Sequence, residues 1–223
     1  MKFLLAAFVS TAIALSADSP PPTATLNPNL PNVLIIGDSI SIGYMEPVVA
    51  LLKDKANVVH NPGNAAHTGN GLAKLEEWLG DTKWDVIHFN HGLHDLKYVD
   101  AAGKNVPEKE LGHIQIPLEK YKENMEAIVL RLKKTGAKLI FATTTPFPEK
   151  PDGPLREVAD IERYNAAALE IMKRHDIAVN DLCSFALPKL AEIQMPKNVH
   201  FTKDGSKVLG AEVAKHIEAA LKG

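Results

Sequence analysis

From Asn32 onward the chain alternates short apolar runs with longer amphipathic stretches. Val33–Ile36, Asn57–His60, Asp85–Asn90, Lys138–Thr143 and Ile177–Asn180 read as strands. They are brief and mostly apolar at consecutive positions, as strands must be when helices cover both faces of a parallel sheet. Between and after them, Tyr44–Lys53, Gly71–Leu79, Leu118–Lys134, Leu155–Arg174 and Asp204–Leu221 read as helices. In the fourth helix Val158, Ile161, Ala168, Ile171 and Met172 recur at helical spacing, and Gly136 closes the third where a C′ glycine belongs. Strand and helix in alternation predict a doubly wound α/β domain. Right-handed crossovers then gather the loops that follow the strands at one edge of the sheet.

The start of the chain departs from this pattern. Lys2 is followed by an apolar segment from Phe3 to Leu15, which has the length of a secretory leader core and falls short of the roughly 20 residues that span a bilayer. Ala14, Ser16 and Ala17 offer cleavage positions. We therefore expect residues 1–17 to be a signal peptide, residues 18–31 a proline-rich linker, and residues 32–223 one folded domain. The protein is expected to be secreted or periplasmic, with no membrane association in its mature form. At 223 residues and 45% hydrophobic, the chain supports one sizeable core and not two. A net charge of −2, with no basic cluster interleaved with aromatics, argues against nucleic acid as a partner. Cys183, the single cysteine, cannot form an intramolecular disulfide and reads as a core residue.

Candidate chemistry sits where strands end. Gly37-Asp38-Ser39 places a hydroxyl at the carboxyl edge of the sheet beside a helix N-terminus, where free backbone N–H groups stabilise an oxyanion. Serine needs a base to become a nucleophile. His200 reaches Ser39 only if the last helix packs beside the first strand, which a doubly wound sheet permits. The plainer readings are a helix N-cap for Ser39 or Ser41 and a backbone-bonded loop histidine for His200. His88, His91 and His94 with Asp95 suggest a metal site. However, residues three apart on a strand point to opposite faces, so no metal is expected, and Asp95 instead anchors its loop through backbone N–H groups. Lys97 and Tyr98 are candidates for the substrate entrance. Asp100–Pro117 is a long connection of the kind that forms a binding rim, and Thr143–Pro146 with Pro148–Pro154 reads as a second, with Tyr164 and Asn165 as candidate supports and core packing as the plainer reading of Tyr164.

Gly37-Asp38-Ser39, Gly92-Leu93-His94-Asp95 and Val199-His200, in that order within an α/β pattern, resemble the GDSL/SGNH hydrolases from Asn32 onward. The resemblance implies a three-layer flavodoxin-like fold with a five-stranded parallel sheet. It also implies a serine esterase, without a cofactor, that cleaves short-chain esters, acetyl above all, through an acyl-serine. Many such enzymes act on carbohydrate, so a small-molecule or glycan ester is the implied partner. Carried over by position, Ser39 becomes the nucleophile and one oxyanion donor, and His200 the general base. Asp38 becomes a supporting residue. The second donor falls in the loop Asn61–Gly69. Ala66, supported by Asn64, is favoured there over Gly63 and Gly69, provided its φ is negative.

Two positions depart from the family pattern. His94 stands where the family has asparagine, so its N–H donation depends on tautomer and pH. Asn90 is a substitute donor or else a strand-end cap. Lys197 stands where the family has the aspartate that orients the histidine, and lysine cannot accept a hydrogen bond. Three arrangements remain: a Ser-His dyad oriented by a main-chain carbonyl, a carboxylate recruited from elsewhere, or the side-chain oxygen of Asn198. The same departures keep open a carbohydrate-binding relative that has lost catalysis.

Overall fold

The structure is a computed structural model that describes residues 26–223. The predicted leader and most of the predicted linker lie outside the described residues. Five strands, β1 (Asn32–Ile36), β2 (Asn57–His60), β3 (Val86–Phe89), β6 (Lys138–Ala142) and β7 (Ala178–Asn180), form one sheet in the order β2-β1-β3-β6-β7. Every pairing within it is parallel. This is the flavodoxin-like order, in which the chain reverses direction across the sheet at β1 and opens a crevice at the carboxyl edge between β1 and β3.

Strand alternation divides the core into two layers. Leu34 and Ile36 of β1, with Ile87 and Phe89 of β3, face α2 (Thr68–Leu79), α3 (Leu118–Lys133) and α4 (Val158–Arg174). Val33, Ile35, Val86 and Ile140 face the other side, against α1 (Ser39–Leu51) and α7 (Lys203–Lys222). Apolar positions on both faces of each strand therefore reflect two covering layers. His88 lies in the α7 layer with its ring against Asn180, whereas His91, beyond the end of β3, packs against Gly71 of α2. The histidines of the apparent cluster thus point to opposite sides of the sheet.

Several boundaries differ from expectation for local reasons. Helix α1 begins at Ser39 rather than Tyr44, because the Asp38 carboxylate accepts the Ile40 N–H at 2.9 Å and caps it. Residues 27–31, read as linker, are tied to the domain. The Asn57 side chain bonds the Asn27 backbone N–H and carbonyl, and the Asn57 N–H bonds the Pro31 carbonyl at 2.8 Å. The long connection after Asp95 contains a small antiparallel hairpin, β4 (Tyr98–Val99) with β5 (His113–Ile114), and a 3-10 turn at Lys109–Leu111. Two short helices, α5 (Leu182–Ala186) and α6 (Leu190–Ile193), joined by a 3-10 turn, carry the chain from β7 toward α7. Among the described residues no helix is long and apolar enough to cross a membrane.

Helix α7 lies tightly against α1, which brings the last helix of the chain beside the first. Gly210 faces α1, where an added Cβ would sit 2.7 Å from Pro47 Cβ and 3.1 Å from the Tyr44 carbonyl oxygen. A methyl group there forces the helices apart. Gly210→Ala is expected to destabilise the protein by about 1–3 kcal/mol, read as a lower urea midpoint at unchanged m-value.

Candidate active site

The turn after β1 is held by its neighbours on the sheet edge. Asn61, following β2, accepts the Gly37 N–H on its side-chain oxygen at 2.8 Å, and Ala65 N–H bonds the Gly37 carbonyl at 2.9 Å. Asp38 is buried and caps α1, leaving Ser39 half-buried at the first helical position with its hydroxyl toward the edge.

His200 arrives from the far end of the chain. The segment before α7 doubles back on itself: Met195 N–H bonds the His200 carbonyl at 2.9 Å, and Thr202 N–H bonds the Ile193 carbonyl at 2.9 Å. Thr202 then caps α7 through the Gly205 N–H. Between these anchors Met195-Pro196-Lys197-Asn198 makes a tight turn closed by Asn198 N–H to Met195 O, with proline at its second position and Lys197 at φ +51°. The geometry turns Lys197 out to solvent and Asn198 toward the histidine.

The contacts made by His200 resolve the question that Lys197 raised. His200 Nε2 lies 2.8 Å from Ser39 Oγ, and His200 Nδ1 lies 2.8 Å from Asn198 Oδ1. Asn198 Oδ1 also accepts the backbone N–H of His200 at 3.0 Å. That second bond fixes which end of the amide faces the ring, because a flipped NH2 group would confront the backbone donor. Nδ1 must then carry the proton and Nε2 the lone pair, the tautomer that takes a proton from a serine hydroxyl. Of the three arrangements left open by the sequence, the structure has the Asn198 amide oxygen.

The predicted oxyanion residues are less uniform. The N–H of Ser39, at the start of α1, has no intrahelical acceptor. Ala66 departs from expectation. Its φ is +52° rather than negative, and its N–H is donated to Asn64 Oδ1 at 2.8 Å. Its carbonyl meanwhile accepts from His91 Nδ1 at 3.2 Å. Asn90 gives an amide N–H to the Ala142 carbonyl at 2.7 Å, so it acts as the strand-end cap. His94 approaches Asp38, its Nε2 4.0 Å from Asp38 Oδ2. Burial foremost, then the charges of Arg156 and Lys97, lower its pKa to about 4, so at neutral pH the ring is uncharged and offers a single N–H.

Asp95 is buried behind this loop. It accepts the Thr68 backbone N–H at 2.8 Å and the Thr68 hydroxyl at 2.5 Å, pinning the start of α2 to the His94 loop. Burial raises its pKa to about 7 despite those bonds. Gly92 lies so near Thr144 that an added Cβ would fall 2.1 Å from Thr144 Oγ1. The Asn165 amide grips both the N–H and the carbonyl of Thr144, which supports the second rim as expected. Tyr164 is buried and bonds Ile116 O at 2.6 Å.

Sequence reasoning passed over Arg156. Its guanidinium is buried, donates from Nε to Leu93 O at 2.8 Å, and supplies the countercharge to Asp38. Burial raises the pKa of Asp38, while the Ile40 N–H, Arg156 and His200 oppose that rise. A second serine–histidine contact, Ser41 Oγ to His60 Nε2 at 2.6 Å, lies two residues along, but Ser41 is buried and also bonds the Asp38 carbonyl. Among the described residues no group of three metal-ligating side chains converges.

Asn198→Ala is expected to lower kcat about a hundredfold with little change in KM, whereas Asn198→Asp, which keeps an acceptor for Nδ1–H, retains most activity; steady-state kinetics on p-nitrophenyl acetate checks both. A further expectation concerns pH. Burial holds His88 at about 3 and His91 and His94 at about 4, below the unfolded value of about 6.5. As pH falls from about 6.5 toward about 4 the unfolded chain binds more protons than the folded one, so stability is lost. Asp95, protonated in the folded state up to about pH 7, and Asp38, also raised by burial, run the other way, but they are two groups against five, since burial lowers His60 and His67 as well. Urea midpoints should therefore decrease steadily across that range.

Comparison with known proteins identifies the family and the fold. Residues 35–208 match the GDSL-like Lipase/Acylhydrolase family. A GDSL esterase/lipase of Arabidopsis thaliana is 25% identical over 212 residues, covering 83% of this chain and 85% of the relative. Two solved structures share the fold, each with a TM-score of 0.67. One is a lipase/acylhydrolase from Enterococcus faecalis, 21% identical over 85% of this chain and 96% of its own. The other is an acetylxylan esterase from Geobacillus stearothermophilus, 19% identical over 84% of this chain and 94% of its own. With that family match spanning most of the described chain, the protein belongs to the GDSL-like lipase/acylhydrolase family and is a carboxylic ester hydrolase.

Proposed function

We propose that the protein is a serine esterase that removes acetyl or similarly short acyl groups from carbohydrate hydroxyls, with Ser39 as nucleophile, His200 as general base and Asn198 as the residue that orients it. The observation that carries this reading is the chain of contacts Ser39 Oγ, His200 Nε2, His200 Nδ1, Asn198 Oδ1, with both hydrogen bonds at 2.8 Å. Ser39 Oγ attacks the ester carbonyl as its proton passes to His200 Nε2. The resulting oxyanion is met by the Ser39 N–H and the His94 ring N–H, and by the Ala66 N–H once it leaves Asn64. His200 then protonates the departing alcohol, and water, activated by the same ring, releases the acid from the acyl-serine.

The acetylxylan esterase with the same fold favours a short acyl group and an acetylated sugar as the class of substrate. The apolar segment Phe3–Leu15 supports action outside the cytoplasm. A carbohydrate-binding protein without turnover is the less favoured reading, because the amide of Asn198 stands where Lys197 seemed to leave the histidine unsupported.

Acetate release from acetylated xylo-oligosaccharides and from p-nitrophenyl acetate tests the reading. Wild-type protein should hydrolyse both, and Ser39→Ala should lower kcat by about 10⁴-fold or more. Retention of glycan binding without any Ser39-dependent turnover would favour the non-catalytic reading instead.

A further inference from the structure

His200 stands on the least regular part of the chain. Between β7 and α7 no element is longer than the five residues of α5, so the segment that carries His200 has no long helix or strand to stiffen it. Its backbone bonds at Met195 and Thr202 tie its two limbs to each other. Two further links tie the segment to the loop after β6. The side-chain Nε2 of Gln194 donates one hydrogen to Pro146 O at 2.9 Å and the other to Val199 O at 3.3 Å. The Asp152 N–H donates to Lys197 O at 2.6 Å.

Pro146 is a firm anchor, because its loop is pinned at two points. The Thr143 hydroxyl donates to Asp181 Oδ1 at 2.8 Å and accepts the Cys183 N–H at 2.9 Å, while Thr144 is held by the Asn165 amide. Val199 is the partner that matters for the base. Its carbonyl and the His200 N–H are the two ends of one planar peptide group. Gln194 holds the carbonyl end and Asn198 Oδ1 holds the N–H end at 3.0 Å, so the plane from which the imidazole projects is gripped on both sides. Gln194 is itself buried. A buried primary amide is costly unless its hydrogens find acceptors, and here both do.

We propose that Gln194 is a positioning residue for His200: by tying the Val199 carbonyl to the loop after β6, it fixes the Val199–His200 peptide and with it the 2.8 Å contact between His200 Nε2 and Ser39 Oγ. Gln194 forms no side-chain hydrogen bond with the ring or with Ser39 among the described residues, so its effect reaches the reaction through that peptide. Acylation and deacylation use the same ring, so loss of the tie lowers kcat and leaves substrate affinity alone. The inference rests on the esterase reading above and adds to it a residue that sets the rate.

Steady-state kinetics of Gln194→Met on p-nitrophenyl acetate tests it, with the urea midpoint and folded fraction recorded on the same preparation. Methionine fills a similar volume and donates nothing. Per folded molecule, kcat should fall about tenfold while KM stays within about twofold of wild type. Gln194→Glu, which at about pH 8 offers the two carbonyls only acceptors, should fall at least as far. In a cycle with Asn198→Ala the two losses should combine to less than their product, because both substitutions release the same peptide. A wild-type kcat per folded molecule in either variant, losses that multiply in the cycle, or collapse of the fold in both variants overturns this inference and leaves the esterase reading intact. Absence of Ser39-dependent hydrolysis by the wild-type protein overturns both.

Discussion

The hydrogen bond between Ser39 and His200 joins residues 161 positions apart, and the placement of the site depends on what brings those two residues together. Neither side chain belongs to the sheet. Ser39 is placed by the turn after β1 and the Asp38 cap, and His200 by the doubled-back segment that ends at the Thr202 cap. What fixes one relative to the other is the packing of α7 on α1. Gly210 against Pro47 and Gly43 against Ser206 let the two helices approach without intervening side chains. The covering layer on one side of the sheet is thus also the mounting of the proposed catalytic pair.

Burial sets the electrostatics at the same edge. Desolvation keeps His88, His91 and His94 neutral, so His88 Nε2 meets the Asn180 amide and His91 Nδ1 donates to the Ala66 carbonyl without adding charge. The charged groups that remain, Asp38 and Arg156, neutralise each other beneath the loop that carries His94. An asparagine in the place of a carboxylate behind His200 fits this sparing use of charge. The amide fixes the tautomer and the orientation of the ring by geometry, and it offers the developing imidazolium a dipole in place of a full negative charge. In the mechanism proposed above, transition-state stabilisation then draws more heavily on the oxyanion donors.

Much of this architecture was legible in the sequence because its causes are local. The parallel strands are consecutive apolar runs, and the helix faces recur at 3.6-residue spacing. The order of the motifs placed Ser39 and His200 at one edge. What escaped depends on contacts that spacing does not encode. Asn198 reaches His200 through a two-residue Asx-type bond, a spacing shorter than the family's, and could be named only as one of three alternatives. Arg156 looked like part of a helix, yet it lies buried ahead of α4 because the Leu93 carbonyl and Asp38 receive it. The β4–β5 hairpin has two-residue strands, too short for a period to register. Ala66 adopts φ +52° because Asn64 captures its N–H, a local bond that alanine's own preference would not suggest.

The central claim is that Asn198 holds the His200 ring with its proton on Nδ1 and its lone pair toward Ser39. Nitrogen-15 NMR of histidine-labelled protein, with the His200 signals assigned by their loss in His200→Gln, reads that tautomer directly at a pH where the ring is neutral. The expected spectrum shows a protonated Nδ1 and an unprotonated Nε2, reverting to a mixture of tautomers in Asn198→Ala. A ring protonated on Nε2 in the wild type, or a tautomer indifferent to the loss of Asn198, would contradict that claim.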